Sequence, residues 1–309
     1  MKDKIFDFLK GILIGIANIL PGFSGGVMAV SFNVYDKLIH ALTHFYKTPI
    51  KVFKNVWALA LGVGIGILFS IYGIKLLLDK YPVQTVLFFT GLIVGSIPNI
   101  YERVDAKQVN WKKISAFLIG FGLISALLIF SIVYNDANTV AIGDVNFTQI
   151  IILFFVGIIA AATMIIPGVS GSLILLAIGY YNYIIDFTTE FIKSIVSFDF
   201  NGIFNNLLLV LALGLGIVVG MLSLAKGVEK LIDKQPRMFY SAVLGLLIAS
   251  PFAIIYQMYI EYKAEIEESL VRHWVFGILF LIIGVIASGY ITKSENKVKE
   301  EFEPKEEDN

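Results

Sequence analysis

Eight uncharged stretches, each 20 to 41 residues long, run through most of this chain. They cover residues 11–35, 55–74, 82–101, 114–135, 145–185, 200–225, 238–260 and 273–292. A bilayer core about 30 Å thick needs roughly 20 apolar residues in a helix. The pattern therefore predicts an all-α polytopic membrane protein.

The composition excludes several other classes of protein. Hydrophobic residues make up 57% of the 309 residues and charged residues 16%, well below the roughly 25% charge of a soluble domain. The 24 basic and 24 acidic residues cancel, which argues against a nucleic-acid binder that relies on net charge. Because the chain has no cysteine, disulfides, thiol chemistry and cysteine-ligated metals are excluded.

Two of the uncharged stretches contain the same Pro-Gly-x-Ser-Gly motif, 146 residues apart. The first turn, residues 19–26, reads Ile-Leu-Pro-Gly-Phe-Ser-Gly-Gly, and the second turn, residues 165–172, reads Ile-Ile-Pro-Gly-Val-Ser-Gly-Ser. At the same spacing Tyr35 aligns with Tyr181. Further on, residues 61–64 match 213–216, and residues 79–82 match 233–236. These matches indicate an internal repeat.

We predict two repeats within one membrane domain. The first, residues 1–140, has a broken helical hairpin over 5–46 and spans at 55–74, 82–101 and 114–135. The second, residues 141–292, has a hairpin over 145–185 and spans at 200–225, 238–260 and 273–292, and a charged cytoplasmic tail follows at 293–309. Each hairpin, re-entrant or fully spanning, returns to its own side of the membrane, so three crossings separate the copies and the second is inverted.

The basic residues support this topology. With both termini in the cytoplasm, 19 basic residues lie on the cytoplasmic side and 5 on the outer side. Such a bias is typical of membrane proteins, whose cytoplasmic loops are rich in lysine and arginine.

The two turns predict an anion site. Pro21 lacks an amide hydrogen and Gly22 readily adopts positive φ, so one half-helix ends there and Ser24 is expected to cap the next. Glycine amides at two opposed half-helix ends would bind a phosphate or a carboxylate. The predicted binding residues are Asn18, Pro21, Gly22, Ser24, Gly25, Gly26, Pro167, Gly168, Ser170, Gly171 and Ser172. Close helix packing through small residues is the alternative interpretation.

Several other polar residues are accessory candidates, namely Thr163, Tyr35, Tyr181, Arg103, Arg237 and Arg272. Each arginine either contacts the phosphate or only sets the topology. His40 and His44 have the spacing of metal ligands, but Asp36 is the one carboxylate near them in sequence, so we predict no metal site. We expect no cofactor and no enzymatic activity. The sequence has no Walker A motif, which argues against ATP as the energy source. An H⁺ or Na⁺ gradient is therefore the expected one.

Residues 15–26, followed by Tyr35, resemble the opening motif of the PopT-type polyprenyl-phosphate translocases, a bacterial membrane family formerly described only as a domain of unknown function. The second turn and residues 91–98 are similar to further elements of that family. The chain departs from the family motif at Val27, where the motif has threonine, and the second turn has Ser172 where the first has Gly26.

The resemblance implies a multi-pass flippase in the bacterial cytoplasmic membrane, with both termini in the cytoplasm. It would return undecaprenyl phosphate from the outer to the cytoplasmic leaflet for cell-envelope polymer synthesis. Its partners would be the polyprenyl-phosphate lipid and membrane lipids, with no nucleic acid. The residues alone leave open a secondary transporter of a small soluble anion.

Overall fold

The structure, a computed structural model, describes residues 2–20, 23–70, 73, 75–105, 110–133, 146–169, 171, 174–175, 178–263, 266 and 270–302. These residues are largely helical and include no strand, which confirms the predicted fold class. We label the helices α1 (Lys2–Ile19), α2 (Gly25–Ser31), α3 (Tyr35–His44), α4 (Pro49–Phe69), α5 (Lys75–Lys80), α6 (Pro82–Val104), α7 (Trp111–Val133), α8 (Phe147–Ile165), α9 (Tyr181–Val196), α10 (Phe200–Lys234), α11 (Pro236–Glu261) and α12 (Leu270–Phe302).

Among the described residues, seven helices are long and apolar enough to cross a membrane: α4, α6, α7, α8, α10, α11 and α12. Three of them begin with a proline in the first turn, at Pro49, Pro82 and Pro236, where the missing amide hydrogen costs no helical bond. Helix α8 begins at Asn146, whose side chain accepts a 2.8 Å bond from the Gln149 amide. The chain is therefore a multi-pass membrane protein.

Helices α1 and α4 pack closely through glycines. A side chain on Gly11 would collide with the Leu59 carbonyl oxygen and would lie 3.0 Å from the Gly62 Cα. Small residues at such positions let two backbones approach, which is how membrane helices gain van der Waals contact.

The same contact recurs between α8 and α10. A side chain on Gly157 would collide with the Leu213 carbonyl oxygen and would lie 3.0 Å from the Gly216 Cα. These contacts make Gly216 the structural counterpart of Gly62. The sequence alignment instead pairs Gly216 with Gly64, which lies two residues further along.

The last helix of each half packs against the other half. Gly284 of α12 lies against the Phe88 carbonyl of α6, and Gly120 of α7 lies against the Ala242 carbonyl of α11. Helices α6 and α11 also contact each other and are the most enclosed candidate spans, with 67% and 61% of their residues buried. The two halves thus share one core, while their inverted orientation in the membrane stays a prediction.

Candidate substrate site

The first turn separates α1 from the short helix α2. Ser24 lies at the N-cap of α2 with extended backbone angles (φ −122°, ψ 127°), but its hydroxyl makes no capping hydrogen bond. The Asn18 carboxamide occupies the space that a Gly25 side chain would need, and its Nδ2 donates to the Ile14 carbonyl at 3.0 Å. The absence of a side chain at Gly25 therefore admits a polar group from α1.

The second turn follows α8 and has a similar arrangement. Gly168 has φ +87°, the left-handed conformation that favours glycine. A Cβ on Gly171 would lie 2.8 Å from the Thr163 hydroxyl, which donates to the Ala160 carbonyl. In each half, a polar side chain of the preceding helix therefore covers the glycine that follows the motif serine.

The two turns are in contact. A Cβ on Gly26 would lie 3.2 Å from the Pro167 Cα, and one on Gly168 would lie 3.4 Å from the Val27 Cγ2. The structure thus brings the turns of both halves together, as the repeat predicts. Pro21, Gly22, Ser170 and Ser172 are also predicted binding residues, and they lie outside the described residues.

Tyr35 links the first half to the end of α8. Its hydroxyl donates to the Ile165 carbonyl at 2.5 Å, and its ring stacks on Phe239 with centroids 5.9 Å apart. Carbonyls in the last turn of a helix lack helical partners, so the Tyr35 hydroxyl satisfies one of them. In the described part of the chain, no hydrogen bond is found for the hydroxyl of Tyr181, its counterpart.

The segments that follow the two turns share a local backbone geometry. Asn33 and Gly179, 146 residues apart, both have positive φ, at 59° and 78°. The bonds that close these ends have the same length of 2.9 Å and join Val34 N to Ala29 O, and Tyr180 N to Leu175 O. The repeat is therefore visible in local geometry where the side chains differ.

Arg103 lies in a polar cluster that joins three parts of the chain. Its guanidinium donates to the Asn33 side chain, to the Tyr240 hydroxyl and to Asp36 Oδ2, the last at 3.1 Å. The Tyr240 hydroxyl in turn lies 2.7 and 2.6 Å from the two Asp36 carboxylate oxygens. We call Asn33, Asp36, Arg103 and Tyr240 the Arg103 cluster.

Arg103 is the one member of this cluster that the sequence predicts as a candidate site residue. The signal that was available is Asp36, a carboxylate directly after the uncharged stretch that contains the first turn. Tyr240 lies 137 residues from Arg103, and no local spacing predicts that contact.

The other two arginine candidates differ from Arg103. Arg237 forms an ion pair of 3.0 Å with Asp105, and its side chain is 60% exposed. Arg272 lies in α12, but its side chain is outside what the structure describes. One of the three arginines is therefore held by several groups, and one makes a solvated ion pair.

The histidine pair on α3 has a carboxylate neighbour that sequence proximity does not reveal. The His40 and His44 rings are stacked, with centroids 4.1 Å apart. Glu229 of α10 lies 3.3 Å from His44 Nδ1. The two histidines and Glu229 therefore bring ring nitrogens and a carboxylate together.

The groups that meet at the two turns are backbone amides, hydroxyls and a carboxamide. Such neutral donors bind an anion without a fixed positive charge, and glycine lets the anion approach the backbone closely. Two members of the Arg103 cluster, Asn33 and Asp36, follow the first turn closely in sequence.

Comparison with known proteins adds independent information. The chain is similar to the polyprenyl-phosphate transporter of Staphylococcus aureus (strain NCTC 8325 / PS 47), at 24% identity over 92% of this chain and 95% of that protein. It is also similar to the polyprenyl-phosphate transporter of Vibrio cholerae serotype O1, at 26% identity over 79% of this chain and 75% of that protein. No solved structure matches the chain at a significant level.

The family comparison covers nearly the whole chain. Residues 14–203 and 186–302 match the family described as undecaprenyl phosphate translocase-like. The matched residues include both turns, the Arg103 cluster and most of the helices. The chain belongs to the undecaprenyl phosphate translocase-like family.

Proposed function

We propose that this protein returns undecaprenyl phosphate, or a closely related polyprenyl phosphate, from the outer to the cytoplasmic leaflet for cell-envelope polymer synthesis. The phosphate binds between the first and second turns. The observation that carries this proposal is the contact of Gly26 with Pro167, because it joins the glycine-containing turns of the two halves. The names of the two relatives support the substrate class.

The energetics favour a headgroup that stays partly hydrated. Removing a charged group from water costs several kcal/mol even after the protein relaxes. A hydrogen bond to a charged group returns about 1.5–3 kcal/mol. Amides of Gly25, Gly26 and Gly171, with the Ser24 hydroxyl, would offset much of that cost for one phosphate.

The lipid tail stays in the bilayer while the headgroup moves through the protein. Each CH₂ group kept out of water is worth about 0.8 kcal/mol, so the tail dominates the membrane affinity of the substrate. The turns need only lower the barrier for the phosphate. An H⁺ or Na⁺ gradient supplies the drive in this proposal.

The Arg103 cluster acts at the cytoplasmic end of the pathway. Arg103 lies in the last turn of α6, and from the positive-inside bias of the sequence we assign this end to the cytoplasm. Because Asp36 already pairs with Arg103, an arriving phosphate competes with that carboxylate. Arg103 in its pair with Asp36 thus releases the phosphate more readily than an arginine without a carboxylate partner would.

The test is leaflet transfer in liposomes that contain the purified protein. A water-soluble phosphatase outside the vesicles hydrolyses only headgroups in the outer leaflet. Without transfer, about half of a short-chain polyprenyl phosphate stays protected, and with the wild-type protein we expect nearly all of it to become accessible. Protein-free vesicles are the negative control. A parallel assay of soluble organic-anion uptake tests the alternative substrate.

The site assignment is tested in the same assay with serine variants. The double substitution Ser24→Leu with Ser170→Leu is expected to abolish transfer, while Ser223→Leu on the exposed face of α10 is the matched control. The elution volume in size-exclusion chromatography and the thermal unfolding midpoint show whether each variant is folded. Transfer by a folded double variant would contradict the phosphate site, and uptake of a soluble anion without lipid transfer would contradict the substrate.

A further inference from the structure

Three metal-ligand side chains meet where α3 of the first half contacts α10 of the second. His40 and His44 lie on α3 and Glu229 lies on α10, and each offers one ligand atom within 4.8 Å of the other two. We propose that these three residues bind a divalent transition-metal ion of the Zn²⁺ class. This site is separate from the two turns and does not depend on the proposed transport function.

The histidine pair has the sequence spacing of a helical chelate, and its stacked rings would have to turn toward a shared ion. Residues four apart on a helix lie on one face, one turn apart. The two rings are nearly parallel, at 7° between planes, and their centroids are 4.1 Å apart. Two ligands of a tetrahedral zinc ion at its usual bond lengths are about 3.3 Å apart. The ligand atoms therefore need to close by roughly 1.5 Å at most, which side-chain rotations can provide.

Glu229 completes the set with a negative charge. Its Oε1 lies 3.3 Å from His44 Nδ1, and its side chain is 20% exposed against 35% for His44. The Thr43 hydroxyl lies 2.9 Å from the same ring nitrogen. Groups that surround an imidazole in this way restrict the orientation of the ring, so less of it has to be ordered when a metal binds.

The donor set selects the class of metal. Imidazole nitrogen suits zinc, copper and nickel, whereas magnesium and calcium require oxygen ligands. Two nitrogens and one carboxylate oxygen are three protein ligands. Because His40 is exposed, water can complete a four-coordinate site.

Nearby ammonium groups have another partner. Lys226, one turn before Glu229, lies over the Tyr46 ring at 5.2 Å from its centroid, and Lys47 lies over the same ring at 5.7 Å. These cation–π contacts hold both cations outside the ligand set. The carboxylate of Glu229 therefore remains available to the metal.

A metal at this position connects the two halves of the chain. His40 and His44 belong to the helix that follows the first turn, and Glu229 belongs to the second half. A ligand that binds only the folded state raises its stability by an amount that grows with the logarithm of ligand concentration relative to Kd. The bound protein is therefore expected to unfold at a higher temperature than the metal-free protein.

Calorimetric titration of the purified full-length protein tests the proposal. After treatment with a chelator and exchange into clean detergent buffer, the protein is titrated with Zn²⁺. We expect one Zn²⁺ per chain, and visible absorption bands of a four-coordinate ion with Co²⁺. The single substitutions His40→Gln, His44→Gln and Glu229→Gln should each weaken binding by more than about 100-fold, beyond the 10- to 100-fold typical of outer-shell changes.

The remaining histidine of the chain provides the control. His273→Gln should bind Zn²⁺ as the wild type does, and it should show the same metal-dependent rise in unfolding midpoint. The proposal is overturned if the wild-type protein does not bind Zn²⁺, or if the three ligand substitutions leave its affinity unchanged. Neither result bears on leaflet transfer, so the two proposals fail separately.

Discussion

The first and second turns have nearly the same sequence, yet different contacts hold the segments that follow them. After the first turn, Tyr35 reaches across to the Ile165 carbonyl and Asp36 pairs with Arg103. After the second turn, Tyr181 has no hydroxyl hydrogen bond within the described residues, and Asp186 is the nearest following carboxylate in sequence. Within the part of the chain that the structure describes, the backbone repeat is thus retained, while the polar contacts named here follow the first turn.

This difference suggests a division of roles within the repeat. Both turns keep the glycines and the covering polar side chain, Asn18 in one and Thr163 in the other. Two of the hydrogen-bonded contacts between the halves involve the side chains of Tyr35 and Arg103, both from the first half. We therefore expect substitutions around the first turn to lower stability more than matched substitutions in the second half.

The largest expected effect is at Arg103. Arg103→Gln leaves Asp36 without its guanidinium partner and removes bonds to Asn33 and Tyr240. Hydrogen bonds to charged groups are worth about 1.5–3 kcal/mol, and partial exposure of the pair reduces this, so we expect a loss of about 1–3 kcal/mol in the free energy of unfolding. Arg237→Gln should cost less than about 1 kcal/mol, because its ion pair is exposed.

Unfolding in mixed micelles measures both arginine variants. Equal losses in the free energy of unfolding for Arg103→Gln and Arg237→Gln would contradict the larger stabilisation expected from the Arg103 cluster.

A smaller effect is expected at Gly168. Alanine at φ +87° is strained by about 1–2 kcal/mol, and its Cβ would lie 3.1 Å from the Ser250 hydroxyl. Gly64→Ala is the matched control, because a Cβ there meets nothing within 4 Å. We expect a lower thermal unfolding midpoint for Gly168→Ala alone, and an equal decrease in both variants would refute the left-handed constraint.

The smallest effect concerns the two tyrosines. Tyr35→Phe removes the bond to the Ile165 carbonyl but keeps the ring that stacks on Phe239, so we expect a loss of about 0.5–1.5 kcal/mol. Tyr181→Phe should be close to neutral. The difference between the two free energies of unfolding is the measured quantity, and a larger loss for Tyr181→Phe would reverse the comparison.

Local sequence predicts the helices and the turns because both depend on short-range rules. In a bilayer, the backbone polar groups of an uncharged stretch of about 20 residues all find hydrogen-bond partners when the stretch forms a helix. Proline lacks an amide hydrogen and glycine permits positive φ, and the Pro-Gly pairs follow closely after α1 ends at Ile19 and α8 ends at Ile165. The duplicated motif also predicts that the turns meet, and Gly26 does contact Pro167.

Contacts between distant helices could not be predicted from spacing. Tyr240 joins Arg103 from 137 residues away, and Glu229 reaches His44 only because α10 packs on α3. The register of the glycine contacts likewise depends on which backbones touch, so the sequence alignment of Gly64 with Gly216 is two residues from the structural pairing. The phosphate-binding role of the turns and the inverted membrane orientation remain predictions.

Nuclear magnetic resonance gives the most direct test of phosphate binding between the turns. The chain contains three Ser-Gly pairs, at 24–25, 170–171 and 288–289. Labelling serine carbonyl carbon with ¹³C and glycine nitrogen with ¹⁵N therefore selects the amides of Gly25, Gly171 and Gly289. Gly289 lies in α12, where a Cβ would meet nothing within 4 Å, and it serves as the internal control.

The measurement is dipolar dephasing of these ¹⁵N signals by the ³¹P of a polyprenyl phosphate, in bilayers of a phosphorus-free glycolipid. Our account predicts dephasing at Gly25 and Gly171 and an unchanged signal at Gly289. The reason is that an amide bonded to a phosphate oxygen lies within a few ångströms of the phosphorus. With saturating lipid, undiminished signals at both Gly25 and Gly171 would contradict a phosphate site between the two turns.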